Sequence, residues 1–199
     1  MKVRCAEQEL QECFANVKDS VNAALGHYQI WFTLRGKGKA IDEYLSVMND
    51  YRYVDFFHAA NIAHYKLMFI ETGCIFDTDD RADRCMRLKE LMIENGFREL
   101  AAKFDTNLKP FRKLVSNILT VRSKLIAHKE SNVEPADLYG KHGIKPDDIK
   151  ALLNELSELM GNLESLMNNG ASWSSVGPTD RWENATYGLL EVLREGRNS

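Results

Sequence analysis

The apolar residues of this chain recur every three or four positions along almost its whole length. That spacing places them on one face of an α-helix, whereas a half-buried strand needs apolar and polar residues to alternate. Alternation of that kind is hard to find here. Glycine and proline number only 12 and 4 among 199 residues, so the periodic segments are seldom interrupted. The sequence therefore predicts an all-α protein.

The periodic segments and the polar runs between them divide the chain into eight expected helices. For six of them the pattern predicts both ends, at 7–34, 41–48, 53–71, 97–104, 108–127 and 146–167. We expect Asp77-Thr78-Asp79-Asp80 to cap a charged helix that Asn95-Gly96 ends, and Asp105-Thr106-Asn107 to cap the helix that follows it. Asp180 to Glu183 has capping-box spacing and should start the last helix.

The length is that of one domain, since domains usually hold about 100–200 residues. We expect a helical bundle over residues 1–169. Residues 170–199 should form a linker and a C-terminal helix, packed on or beside the bundle.

Several protein classes are excluded or disfavoured. No apolar run approaches the ~18 residues that span a membrane, and the charged N-terminus lacks a signal core, so we expect a cytoplasmic protein. The four cysteines form no C-x-x-C or zinc-finger pattern, and no nucleotide-binding loop is present, so neither a metal nor a cofactor is expected. A net charge of −3 argues against coating nucleic acid over the whole surface, but it allows a local basic patch.

The expected helix over 53–71 is apolar on nearly every side. A helix of this kind is central, packed by its own fold on one side and by a second subunit on the other. His58 and His64 lie on it about 120° apart, too far to chelate one metal unaided. We expect both to be buried and hydrogen-bonded.

One helix, over 108–127, carries chemistry-bearing residues. Arg122 falls in the middle of its apolar face, where an unpaired charge is costly. Either a carboxylate inside the bundle pairs with Arg122, or this face lines a cleft and Arg122 binds an anion there. The residues leave both alternatives open.

His128 follows six positions after Arg122. An imidazole that titrates near neutral pH, beside a planar guanidinium, is suited to phosphodiester chemistry. From residue 109 to residue 129 there are six Lys or Arg residues and no acid. This basic run is either a solvated face or an RNA-binding surface, and its expected RNA contacts are Lys113, Ser123, Lys124 and Lys129. The Arg-x5-His spacing is not specific, because Arg52 and His58 repeat it.

The segment VRSKLIAHKE at 121–130 resembles the Arg-polar-x(3–5)-His motif of the HEPN superfamily. An apolar helix that ends in Ile-Phe-Asp at 75–77, and the place of the motif on a late helix, resemble its AbiU-like abortive-infection branch. The resemblance covers roughly residues 5–167.

The resemblance implies an up-and-down helical bundle that forms a homodimer, with paired Arg and His residues facing each other in a cleft. It implies a metal-independent RNase of phage defence or of a toxin–antitoxin system. Arg122 would then stabilise the phosphorane, and His128 would act as general acid or base while the 2′-hydroxyl attacks. Active relatives commonly have Asn, Asp or His after the arginine, where this chain has Ser123.

Three hypotheses follow. The chain is an RNase effector with RNA and an antitoxin as partners, a non-catalytic module that binds RNA, nucleotide or protein, or a helical dimer in which Arg122 is only structural. An acidic partner for Arg122 on a neighbouring helix would favour the third.

Overall fold

The computed structural model describes residues 6–35, 38–77, 84–127, 143–168 and 180–197, with the backbone alone for 125–127, and all its elements are helical. The helices are α1 (Ala6–Leu34), α2 (Leu45–Met48), α3 (Val54–Ile75), α4 (Cys85–Glu94), α5 (Arg98–Leu108), α6 (Arg112–Val121), α7 (Pro146–Met167) and α8 (Arg181–Arg197). A π-helical turn over Ala40–Tyr44 precedes α2, a 3-10 turn over Lys109–Phe111 precedes α6, and a second π-helical turn over Arg122–Ala127 follows it. The prediction of an all-α helical bundle is confirmed.

The centre of the bundle is α1, which packs against α3, α4, α7 and α8. Its stripe at three- and four-residue spacing is buried, with Leu10, Val17 and Val21 each 1% exposed. The stripe on α7 is buried in the same way, including Leu152 and Leu156. Burying one such side chain contributes about 1.5–3 kcal/mol, so these two helices carry much of the hydrophobic stabilisation.

Helix α3 buries the side that faces α1 and leaves part of its other side in solvent. Phe57, Met68 and Phe69 are buried, whereas Phe56 is 61% and Ile62 is 41% exposed. Low amphipathicity thus reflects two apolar sides, of which the described residues cover only one. A second subunit on the uncovered side stays a prediction.

The predicted cap at Asp77 to Asp80 is wrong. Helix α4 begins at Cys85, and Arg84 before it has extended backbone with no side-chain cap. The carboxylate of Asp77 is instead paired with Arg122. Residues 78–80 lie outside the described ranges. At the other end of α4 the prediction is confirmed, because Asn95 is the C-cap and Gly96 has a φ of 89°, which glycine adopts without strain.

The predicted cap at Asp105-Thr106-Asn107 is also wrong, since these residues lie inside α5. Their side chains are engaged elsewhere, because Asp105 pairs with Lys89 at 2.9 Å, the Thr106 hydroxyl donates to Ala102 O, and the Asn107 amide donates to Glu155. Helix α5 ends at Leu108, and a 3-10 turn follows in which Pro110 has no N–H to lose from hydrogen bonding.

Helix α8 is capped by a residue from α1. The Gln29 Oε1 accepts hydrogen bonds from the backbone N–H groups of Trp182 and Glu183, at 3.1 and 3.2 Å. A glutamine from another helix thus satisfies two of the first backbone N–H groups of α8, which begins at Arg181 directly after Asp180, as predicted. One face of α8 covers a second apolar cluster, which is built from Ala40, Tyr44, Val47, Met48, Phe57 and Leu190. The division of the chain at residue 169 stays a prediction. None of the described helices has the length and apolar character needed to cross a membrane.

Candidate functional site

Helix α6 brings Arg122 to the edge of the bundle. It buries Ile118 and Val121, and it packs against α3. At Arg122 the α-helix gives way to a π-helical turn that continues to Ala127. Single π-helical turns within helices are rare and occur often at functional sites.

Arg122 has a carboxylate partner at the end of α3. Its Nη1 donates to Asp77 Oδ2 at 3.0 Å. The two side chains are 29% and 32% exposed, so this ion pair lies at the rim and not in the core. Ion pairs with such exposure contribute about 0–1 kcal/mol. The structure thus provides the intramolecular partner that one of the two alternatives required, in a position that solvent and a ligand can reach.

The stem of Arg122 lies across α3 at Gly73. A Cβ at Gly73 would overlap Arg122 Cδ and would lie 3.1 Å from both Nε and Nη1. The absence of a side chain at Gly73 therefore makes the approach of Arg122 to Asp77 possible. Sequence reasoning missed both Gly73 and Asp77 as neighbours of Arg122. A glycine inside a strongly apolar helix is the signal that could have identified the first.

Ser123 and Lys124 point to a different surface from Arg122. Both are exposed, and with Arg112, Ser116 and Thr120 they line an open groove of about 540 Å³ along α6. Lys113 is exposed but does not line this groove. His128 and Lys129 lie outside the described residues.

The charges near this groove are unbalanced. Within the described ranges, no carboxylate pairs with Arg112, Lys113 or Lys124. Arg122 uses one nitrogen on Asp77, and its remaining donors have no partner among the described residues. A guanidinium that is partly exposed and has donors without a described partner can bind a phosphate. Ser123 and Lys124 place a hydroxyl and an ammonium group on the separate groove along α6.

Other catalytic groups near Arg122 are weak candidates. Burial raises the pKa of the Cys74 thiol, an effect that Arg122 opposes and Glu71 and Asp77 reinforce. A thiol with a raised pKa is a poor nucleophile at neutral pH. Among the described residues, no group of three or more His, Cys, Asp or Glu side chains could hold a metal ion.

The two histidines of α3 differ from each other. His64 is half-buried, with its Nδ1 2.8 Å from Nδ1 of His27 on α1, as the prediction of a buried, hydrogen-bonded histidine required. For His58 the prediction of burial is wrong, because its side chain is exposed. It lies on the side of α3 that α1 does not cover.

Comparison with known families bears on the bundle from α2 into α8. Residues 43–187 match the family model HEPN_AbiU2, described as AbiU2. The match includes the segment 121–130 and reaches into α8. No curated protein and no solved structure matches the chain.

Proposed function

Since the chain belongs to the AbiU2 family of HEPN domains, we propose that it is a metal-independent endoribonuclease that acts as a toxin or phage-defence effector. Family membership supports a nuclease or abortive-infection role. The observation that carries the RNase proposal is the exposure of Arg122 at the rim of the bundle, where only its Nη1 donates to Asp77. The other donors of its guanidinium are directed at no described residue.

Cleavage by 2′-hydroxyl attack assigns one role to Arg122 and one to His128. The 2′-oxygen attacks the adjacent phosphorus, its proton passes to a base, and the bond to the 5′-oxygen breaks as an acid protonates that oxygen. Arg122 stabilises the pentacoordinate phosphorane, and His128 acts as base or acid. The products are a 2′,3′-cyclic phosphate and a 5′-hydroxyl, and no metal takes part.

A homodimer would bring two such sets together. Phe56 and Ile62 on the apolar side of α3 are exposed within the described part of the chain, which supports a second copy there. In a dimer, one His128 could serve as base and the other as acid. A toxin role also implies an antitoxin or another protein that holds the enzyme inactive.

A specific observation favours a second function. The Arg122–Asp77 ion pair is the acidic partner that favours the third hypothesis, in which Arg122 is only structural. Ser123, in place of the residues common in active relatives, supports a non-catalytic module that binds RNA, nucleotide or protein. In that case Asp77 keeps Arg122 engaged and no cleavage follows.

The test is cleavage of total RNA in EDTA by wild type, His128→Ala and His58→Ala. His58 is the matched control, since it is the exposed histidine of the other Arg-x5-His copy. We expect wild type and His58→Ala to cleave and to leave cyclic-phosphate ends, and His128→Ala to be inactive. If all three are equally inert on RNA, and equally harmless when overexpressed, the nuclease proposal fails.

A further inference from the structure

A pocket lies between α4, α5 and α6, on the side of α6 that carries Arg112. Its volume is about 220 Å³, and its apolar wall is formed by Phe76, Phe104, Leu108 and Val115. It adjoins a shallower depression of about 540 Å³ whose lining includes Lys89, Lys109 and Arg112. An apolar cavity therefore opens beside a basic rim.

Two cations of this rim have no partner in the described part of the chain. Lys89 is neutralised by Asp105, whose two carboxylate oxygens both lie 2.9 Å from the ammonium nitrogen. Lys109 and Arg112 are exposed and form no ion pair with a described residue. The rim thus has an uncompensated charge of about +2 after the Lys89–Asp105 pair cancels.

An apolar cavity and two cations together match a nucleotide better than a bare anion or an apolar ligand. A nucleobase presents a flat apolar face, and the adjoining phosphate requires positive charge. Bases of single-stranded nucleic acid bind aromatic and apolar side chains, whereas bases in a duplex are stacked on each other and cannot enter a pocket. Arginine and lysine supply the phosphate contacts.

We propose that this pocket binds one unpaired nucleotide of an RNA strand, with the base in the cavity and the phosphate between Lys109 and Arg112. The inference rests on the proposed function and adds a subsite that selects single-stranded RNA. Arg112 precedes Arg122 by ten residues, or about 15 Å at 1.5 Å per helical residue. Arg112 also lines the groove of Ser123 and Lys124, so one strand can follow α6 from the pocket to these two residues, which come directly after Arg122 in the chain.

The test measures binding and not cleavage, so it is independent of catalysis. The probe is a fluorescein-labelled RNA of 12 nucleotides with 2′-O-methyl riboses, which cannot attack the phosphate, as a single strand and as a duplex. Lys109→Gln/Arg112→Gln is compared with Lys103→Gln/Arg98→Gln, which removes the same charges from exposed positions on α5 that do not line the pocket.

We expect Lys109→Gln/Arg112→Gln to bind the single strand at least tenfold more weakly than wild type does. The control Lys103→Gln/Arg98→Gln should bind it within twofold of wild type. The slope of log K against log salt should fall by about 0.7, since one phosphate contact to a single strand is lost. Val115→Met, which fills the pocket without changing charge, should weaken single-strand binding and leave duplex binding unchanged. Thermal melting checks that each variant is folded.

Four outcomes would overturn the proposal. Equal losses of RNA affinity in Lys109→Gln/Arg112→Gln and in the control variant would mean that overall charge, and not this pocket, governs binding. Loss of a dimer in Lys109→Gln/Arg112→Gln, measured by light scattering, would identify this surface as a subunit interface. Binding of polyglutamate that depends on Lys109 and Arg112, with RNA binding unaffected, would indicate an acidic protein partner. If wild type cleaves RNA and all variants bind RNA equally, the subsite proposal fails and the nuclease proposal stands. If RNA binding depends on Lys109 and Arg112 but wild type does not cleave, the subsite proposal stands and the nuclease proposal fails.

Discussion

Two arginines in this chain are each followed by a histidine six positions later, and the structure uses them differently. Arg52 donates from Nε and Nη2 to the two carboxylate oxygens of Asp50, at 3.0 and 3.1 Å, and its backbone N–H binds the same carboxylate. Its guanidinium also lies over the Tyr53 ring. Arg52 therefore fixes the local turn between α2 and α3.

Arg122 instead joins distant parts of the chain. It reaches a carboxylate 45 positions away with one nitrogen, and its stem crosses α3 at Gly73. A bidentate local pair leaves few donors for a ligand, whereas a single long-range contact orients the guanidinium and leaves donors available. The same sequence spacing thus belongs to a turn in one place and to a candidate active site in the other.

The largest expected difference comes from replacing each arginine by lysine, which keeps the charge and loses the planar donor set. Arg122→Lys should lower the rate of RNA cleavage about 100-fold or more, the scale seen when one donor to a developing oxyanion is removed. Arg52→Lys should stay within twofold of wild type. Rates on a labelled RNA in EDTA measure this. Equal rates for both variants would place Arg122 outside the reaction.

The next largest effect tests the support of Arg122 on α3. Gly73→Ala places a methyl group against Arg122 Cδ, and overpacking of this kind costs about 1–3 kcal/mol. We expect cleavage to fall about tenfold as the guanidinium moves. Gly161→Ala on α7 is the control, because a Cβ there meets nothing within 4 Å and alanine should stabilise the helix by about 0.5–1 kcal/mol. Urea unfolding and cleavage rates are measured together. Full activity in Gly73→Ala would show that the position of Arg122 is unimportant.

A smaller effect is expected from the carboxylates. Asp77→Asn removes a negative charge beside the proposed phosphate, so binding of the 2′-O-methyl RNA should tighten a few-fold, with stability changed by about 1 kcal/mol or less. Asp50→Asn should leave RNA binding unchanged, because its carboxylate serves Arg52 and lies 3.4 Å from Arg197 Nε. If Asp77→Asn abolishes both binding and folding, Arg122 is structural, as the third hypothesis states.

The sequence predicted the parts of this molecule that depend on local pattern. The bounds of α1 and α7 followed from apolar spacing, and the end of α4 followed from Asn95-Gly96. The conflict between a charge and an apolar face predicted a carboxylate partner or a bound anion for Arg122, and the structure shows the carboxylate of Asp77. Contacts between distant positions could not be predicted, because Asp77 and Gln29 looked like ordinary polar residues. Their partners lie 45 and more than 150 positions away.

The smallest effect concerns the histidines of α3, one of which belongs to the first Arg-x5-His copy. Burial lowers the pKa of both His27 and His64 from 6.5, and for His64 the neighbouring His27 lowers it further. At 2.8 Å between the two Nδ1 atoms, one ring must donate and the other accept, so the pair is favourable with both rings neutral.

The unfolded chain therefore binds more protons than the folded chain below pH 6.5. Stability from this pair is complete above pH 6.5 and is lost as the pH falls below 6.5 toward the lowered pKa values. We expect the urea midpoint of wild type to decrease from pH 7 to pH 5.5, and His64→Gln, which keeps a polar partner for His27 and cannot take up a proton, to decrease less. His58→Gln, at the exposed site on the same helix, should follow wild type. If His64→Gln also follows wild type, the His27–His64 pair does not account for the loss of stability at low pH. In that case neither His58 nor His64 distinguishes the Arg52…His58 copy from an ordinary surface turn.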